Sequence, residues 1–309
     1  MLKRIITIAF AAIVSTTTIL AQEVKKPRLL IENFGCADGL SNDLRDMLRM
    51  NVISAINLTE RFEVMDANTQ AILDQESTRR ASESAMADRT ARTGIITTKA
   101  NNYILRGSLL TLTTQSSIVD GKTRYTYSLG YSITLIDVDN SKDIASETFS
   151  HGTGGVQNII GGTGGKILNQ LSTYASEADA INGGLSCIKN DIVNFLIKYL
   201  PLEGEVIAED YEVKKDKIEA CYINIGSGLG VKVGDYFAIL VAQVRAGRTI
   251  YQEIGRLKIK EVLDETLSYC DVTKGNKVVY EMMEEYKTML ADDPNTLPII
   301  VRLTKGSVF

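Results

Sequence analysis

The side chains of this sequence that could do chemistry are few and far apart. His151 is its single histidine, and Cys36, Cys187, Cys221 and Cys270 are its four cysteines, with no CxxC pair among them. A zinc site built from paired ligands therefore has almost no material. The glycine run Gly161-Gly162-Thr163-Gly164-Gly165-Lys166 invites comparison with a phosphate-cradling loop. That loop needs a hydroxyl residue after its lysine and a glycine at the head of the motif, and here Ile167 and Ile160 stand in those places. A second run, Gly226, Gly228, Gly230 and Gly234, leads into a strand rather than a helix, so it serves tight turns and not a dinucleotide. Asp137 and Asp139 fall in a turn where backbone hydrogen bonding explains them. Glu281, Glu284 and Glu285 form the solvated face of a helix expected over Tyr280 to Leu290. No carboxylate pair, Ser/His/Asp set or Cys/His dyad emerges, so the expectation is a non-enzyme with no cofactor and no metal.

The elements that must carry these residues begin with Arg28 to Asp66, which reads as strand, glycine-bearing turn, helix, strand. In its helix Leu44, Met47, Leu48, Val52, Ala55 and Ile56 recur at three- and four-residue steps and need a sheet to cover them. Ser41 is the expected N-cap. The stretch Thr69 to Lys99 alternates charge signs with small residues, as a solvated helix or helix pair does. Strands follow over Tyr103 to Leu112 and Tyr125 to Leu135, joined through Asp120-Gly121, a strong hairpin signal, and a third strand over Ile144 to Phe149 completes a meander. From Tyr125 to Leu135 apolar and polar residues alternate strictly. That pattern fits a lipid-facing barrel strand, and it fits a half-buried strand of a soluble sheet covered by the helix at residues 41 to 57. The less regular neighbour from Tyr103 to Thr113 favours the second.

A helix from Ser186 to Leu200, with Ile188, Ile192, Phe195, Leu196 and Tyr199 as its buried stripe, ends at Pro201. Beyond Glu205 the pattern changes to short strands: Val206 to Ala208, Lys217 to Ile225, Tyr236 to Val241, Glu253 to Val262, Leu267 to Val272 and Ile299 to Leu303. Cys221 and Cys270 both fall on alternating strand patterns, where they are either a disulfide or a pair of buried reduced thiols.

Lys3 and Arg4, the apolar run Ile5 to Val14 and the small residues leading to Ala21 look like a secretory signal peptide over residues 1 to 21. Its apolar core is too short for a permanent span. Gln22 stands where a lipoprotein would need cysteine, so no lipid anchor is expected. Across 309 residues, 44% hydrophobic and 23% charged is ordinary for a globular protein, and about two domains are expected. A formal charge of -4 and the absence of tryptophan argue against nucleic acid as a partner.

Three stretches carry a resemblance. The unit from Arg28 to Asp66, the phrase Asn102-Tyr103-Ile104-Leu105-Arg106-Gly107-Ser108 and the phrase Leu135-Ile136-Asp137-Val138 resemble the CsgG family of curli assembly and transport components. More loosely they are similar to the TolB N-terminal domain and LpoB-type penicillin-binding-protein activators. Gly230-Val231-Lys232-Val233-Gly234-Asp235-Tyr236-Phe237 with Ile254-Gly255-Arg256-Leu257 looks like a small β-barrel domain found beside such units. The resemblance implies an α+β or α/β fold, a mixed sheet flanked by helices over residues 24 to 200, with a smaller, mainly β domain over 204 to 309. It implies an exported, periplasmic or outer-membrane-associated protein whose partners are envelope proteins or further copies of itself in a ring. It also implies a membrane- or partner-engaging insertion at residues 152 to 180, carrying Gly154, Gly155, Ile159, Ile160, Gly161, Gly162, Gly164 and Gly165, and a second inserting hairpin near residues 115 to 127. The alternative is a soluble periplasmic adaptor or activator.

Overall fold

The structure, a computed structural model, describes residues 26–67, 102–138, 140–152, 173–293 and 296–306. The expected leader, the charged stretch 69–99 and the glycine-rich residues 153–172 lie outside them.

The first unit opens with β1 (Arg28–Ile31), β2 (Gly35–Cys36), α1 (Asn42–Leu58) and β3 (Glu63–Asp66). Leu29 and Ile31 are fully buried, and β1 pairs in parallel with β3, as a helical crossover between strands requires. Ser41 caps α1, its Oγ accepting from Asp43 N at 3.1 Å and Leu44 N at 3.4 Å. The buried stripe is Leu48, Val52, Ala55 and Ile56, whereas Met47 of the expected stripe is 37% exposed. Arg49 joins the buried face instead, because its guanidinium finds Glu32 O at 2.9 Å, Ile31 O at 3.1 Å and the Asp66 carboxylate at 2.5 Å.

Next come β4 (Tyr103–Val119), β5 (Lys122–Asp137) and β6 (Lys142–Gly152), then α2 (Glu177–Ser186) and α3 (Ile188–Tyr199). The sheet runs β3-β1-β4-β5-β6, with β2 also on β4. The hairpin turn is at Asp120 and Gly121, both at positive φ, the conformation that lets a two-residue turn follow the strand twist. Tyr127, Leu129, Tyr131, Ile133 and Leu135 are all buried in the core, so this part of β5 faces protein and not lipid. Its cover was expected from the helix at 41 to 57 alone. In the structure α2 and α3 lie on it too: Gly184 abuts the Tyr127 ring, and Asp191 meets Tyr131. The helix expected from Ser186 to Leu200 is present as α3, and α2, which was not expected, precedes it across Cys187. Adjacent Gly183 and Gly184 hide α2 from a propensity reading, and they are needed because any Cβ there would strike the Tyr174 and Tyr127 rings.

The second unit is a closed barrel. β7 (Glu203–Val213), β8 (Ile218–Ile223), a 3-10 turn (Ser227–Leu229), β9 (Tyr236–Arg245), β10 (Arg248–Val262), β11 (Ser268–Lys274), α4 (Asn276–Asp292) and β12 (Ile300–Lys305) follow in order. The strands close as β10-β11-β8-β7-β12-β9 around a core of its own, and α4 adds Val279 and Met283 to that core. Every strand expected after Glu205 is present, several of them longer than their apolar runs. Closure pairs edges that would otherwise stay open, which extends the ladders into polar sequence. The fold is thus a mixed α+β arrangement with a mainly β second unit. The two units touch where α1 ends: Lys232 reaches Glu60 at 3.2 Å and Leu58 O at 3.1 Å.

Candidate functional site

Gly154, Gly155, Ile159, Ile160, Gly161, Gly162, Gly164 and Gly165 all lie outside the described residues. Cys221 and Cys270 are brought together. They stand opposite each other in the β8–β11 ladder, both fully buried and both free thiols. Burial pushes the Cys221 thiol up to about 12 and raises Cys270 as well, the neighbouring sulfur adding to the second shift. Such thiols are poor nucleophiles at neutral pH.

At the far end of the sheet the fold assembles a polar cluster that sequence reasoning missed. In the β5–β6 ladder Leu129 pairs with His151 and Tyr131 with Phe149, which places Tyr127, Tyr131, Phe149 and His151 on one face. Across that face runs the start of α3, where Cys187 and Asp191 are four residues apart and so share a side of the helix. The Tyr131 hydroxyl donates to Asp191 Oδ2 at 2.6 Å, and His151 Nε2 meets the same oxygen at 2.5 Å. Tyr127 OH lies 3.4 Å from Cys187 Sγ. Burial first, then the Asp191 charge, raises the Tyr131 phenol; burial and the Cys187 contact raise Tyr127. Both phenols therefore stay neutral near pH 7 and Tyr131 remains a donor.

The cluster contains a thiol, an imidazole and a carboxylate, and among the described residues the thiol and the imidazole do not hydrogen-bond each other. Cys187 contacts Tyr127 OH and Gly183 O, while the imidazole nitrogen is committed to Asp191. A nucleophile needs its base within hydrogen-bond reach. What the arrangement does is clasp β5, β6 and α3 at the point where the chain leaves β6. The signals that could have found it were the Tyr127/Tyr131 and Cys187/Asp191 spacings, each placing two polar groups on one face of its element. Among the described residues no three His, Cys, Asp or Glu side chains gather to hold a metal.

The third feature is the outer half of the β4–β5 hairpin. β1 and β2 leave β4 at Leu109, and β6 leaves β5 at Ser128, so residues 111–127 continue as a two-stranded ribbon. Beyond Ser128 the described partner of β5 is a single bridge from Tyr125 to Tyr174. At the tip Ile118 is 80% exposed and Val119 is exposed beside it. Outside the tip Thr113, Thr114, Gln115, Ser116 and Ser117 with Thr123 and Arg124 are polar on both faces, while Leu112 and Tyr127 at the base of the ribbon are buried in the core. Among the described residues no helix is long and apolar enough to cross a membrane.

No protein-family model matches the chain, and no curated protein matches it. Solved structures give partial likenesses. The chain is similar to the PelC dodecamer from Paraburkholderia phytofirmans at 14% identity over 41% of this chain and 72% of that one, with a TM-score of 0.27. It is similar to a lipoprotein from Neisseria meningitidis at 16% identity over 54% and 99%, TM-score 0.28. A protein from Xanthomonas campestris aligns at 11% identity over 57% and 87%, TM-score 0.32. Likenesses this slight decide neither fold nor function.

Proposed function

We propose that this chain is a non-enzymatic cell-envelope protein of the CsgG type, exported and acting in the assembly or transport of secreted or surface components at the outer membrane, as a ring of identical copies. The single observation that carries the reading is the open ribbon at residues 111–127. Among the described residues, apart from the Tyr125–Tyr174 bridge, its two strands present backbone without a strand partner on opposite edges, which is a template for strand addition. Opposite edges on one hairpin join copies head to tail, and such contacts close into rings when the rotation allows. The leader-like N-terminus and the sequence resemblance support the compartment, and the unaligned thiol and imidazole support a non-catalytic role. In an oxidising compartment the facing Cys221 and Cys270 are where a disulfide would close, and a peptide map without reductant tests that pairing.

The second reading, a soluble periplasmic adaptor, is favoured by the polarity of both ribbon faces, which suits pairing with a protein better than contact with lipid. Fractionation separates the two. Resistance to carbonate extraction, with a large oligomer in detergent and loss of insertion on deleting residues 154–178, supports the ring at the membrane. A soluble monomer supports the adaptor. Turnover of a small metabolite by homogeneous protein contradicts both.

A further inference from the structure

Where the sheet unit meets the barrel the structure forms a half-open cavity of about 300 Å³, lined by Arg61, Phe62, Tyr103, Tyr199, Leu202 and Leu229 among others. That volume is at the lower end of small-molecule sites, which favour junctions of this kind. Arg61 follows the end of α1 and is only 7% exposed. Its guanidinium can give five hydrogen bonds, yet among the described residues Nη2 to Leu200 O is the one it makes. Nε is buried with no acceptor. One face of the guanidinium carbon lies 5.4 Å from the centre of the Phe62 ring. Burial lowers the group to about 10, with Asp235 pulling the other way, so it is still a cation at neutral pH. A desolvated cation with unused donors is costly unless something satisfies it.

Of the acids nearby, Asp235 acts on the Arg61 charge across space, and each is already hydrogen-bonded. Asp235 accepts from Lys232 N at 2.9 Å, and Glu203, on the cavity wall, is held by Arg302 Nε at 2.6 Å. The Tyr199 hydroxyl is given to Glu147 at 2.6 Å, which leaves its ring for the cavity. Arg61 is the one cation among the described residues lining the space, and the rest of the wall is mainly aromatic and aliphatic. A dianion such as phosphate would meet one positive charge and the Glu203 carboxylate. A neutral apolar molecule would leave the guanidinium unmet. A monocarboxylate on an apolar body answers both, because the planar fork matches a carboxylate and the wall takes the body.

We propose that this junction cavity binds a small carboxylic acid with an apolar body, its carboxylate on Arg61 and its body against Phe62, Tyr103 and Leu229. Bound there, the acid touches residues of both units and holds them together. The site is independent of the ring assembly proposed above, and its test reads binding and not oligomerisation.

The probe is phenylacetate, titrated calorimetrically into the full-length purified chain, with phenylacetamide and inorganic phosphate as controls. Saturable binding of phenylacetate alone, with a rise in thermal midpoint, is expected. Arg61→Met should weaken it about 10- to 100-fold, the loss of a charge-assisted hydrogen bond. Leu229→Trp, which fills the cavity from the barrel side and leaves Arg61 in place, should abolish it, and this variant carries the test if Arg61→Met does not fold. Equal binding of phenylacetamide, binding unchanged in both variants, or no saturation up to about 10 mM, weaker than ordinary specific binding, overturns the proposal.

Discussion

The two halves of the β4–β5 hairpin are one continuous pair of strands with opposite fates. From Tyr127 to Leu135 the inward side chains of β5 are buried beneath helices. From Thr113 to Arg124 the same ladder continues with no buried side chain among the described residues, Thr114 meeting Glu177 of α2 at 2.6 Å, and its tip residue Ile118 is 80% exposed. The backbone pattern is identical, so what differs is the side chains: Leu, Tyr and Ile on the covered half, Thr, Ser and Gln on the open one. Strand pairing alone does not make a core; a face that excludes water does. The covered half therefore holds the unit together, and the open half leaves its side chains unburied among the described residues.

Mutations can break that contrast. The largest effect is expected at Tyr131, which is fully buried and bonded to Asp191. Tyr131→Ala should lose about 3 to 5 kcal/mol of stability by urea denaturation; a loss below about 1 kcal/mol would put this half of the hairpin outside the core. At the helix that covers it, Gly184→Leu should cost about 1 to 3 kcal/mol by overpacking, because even a Cβ there would come within 2.8 Å of the Tyr127 ring. An unchanged or raised stability would mean α2 does not pack closely on β5.

A smaller effect belongs to pH. Burial opposes the charge on Glu147, but hydrogen bonds from Lys198 and Tyr199 outweigh it and hold the carboxyl below its usual 4.5. A carboxyl depressed by folding contributes stability that is full above its unfolded value and lost as pH falls through its folded one. Wild-type stability should therefore drop more steeply than that of Glu147→Gln between about pH 5 and pH 3. Parallel profiles would show that the link from β6 to α3 contributes nothing. The smallest effect is expected on the open half, where Ile118→Ser should change stability by no more than about 0.5 kcal/mol. A loss of more than about 1 kcal/mol on the same scale would reveal a covering layer over the ribbon.

Much of the fold was legible in local patterns. The strand–helix–strand opening, the Asp120-Gly121 turn, the Ser41 cap and the string of strands after Glu205 all follow from residues close together in the chain. What local pattern could not show was pairing between distant residues. The barrel closes through β12 meeting β7 and β9, contacts that no periodicity announces. Nothing in the periodicity of α1 marks Arg49 as buried, and the carbonyls of Ile31 and Glu32 are what hold it there. The Tyr131, His151 and Asp191 cluster joins side chains 60 and 40 positions apart, so each looked alone in the sequence. Nothing in the local pattern singles out Arg61, which is buried by the approach of Leu200 and the barrel.

The central claim is that the open ribbon joins copies of this chain. Native mass measurement of the mature protein, with and without detergent, beside a variant whose ribbon is shortened by removing the paired residues 115–118 and 123–126, which leaves the buried Tyr127 in place, tests it most directly. A closed homo-oligomer in the wild type that becomes a folded monomer in the variant is the predicted result. A wild type that stays monomeric under both conditions, or an oligomer that survives the shortening intact, contradicts it.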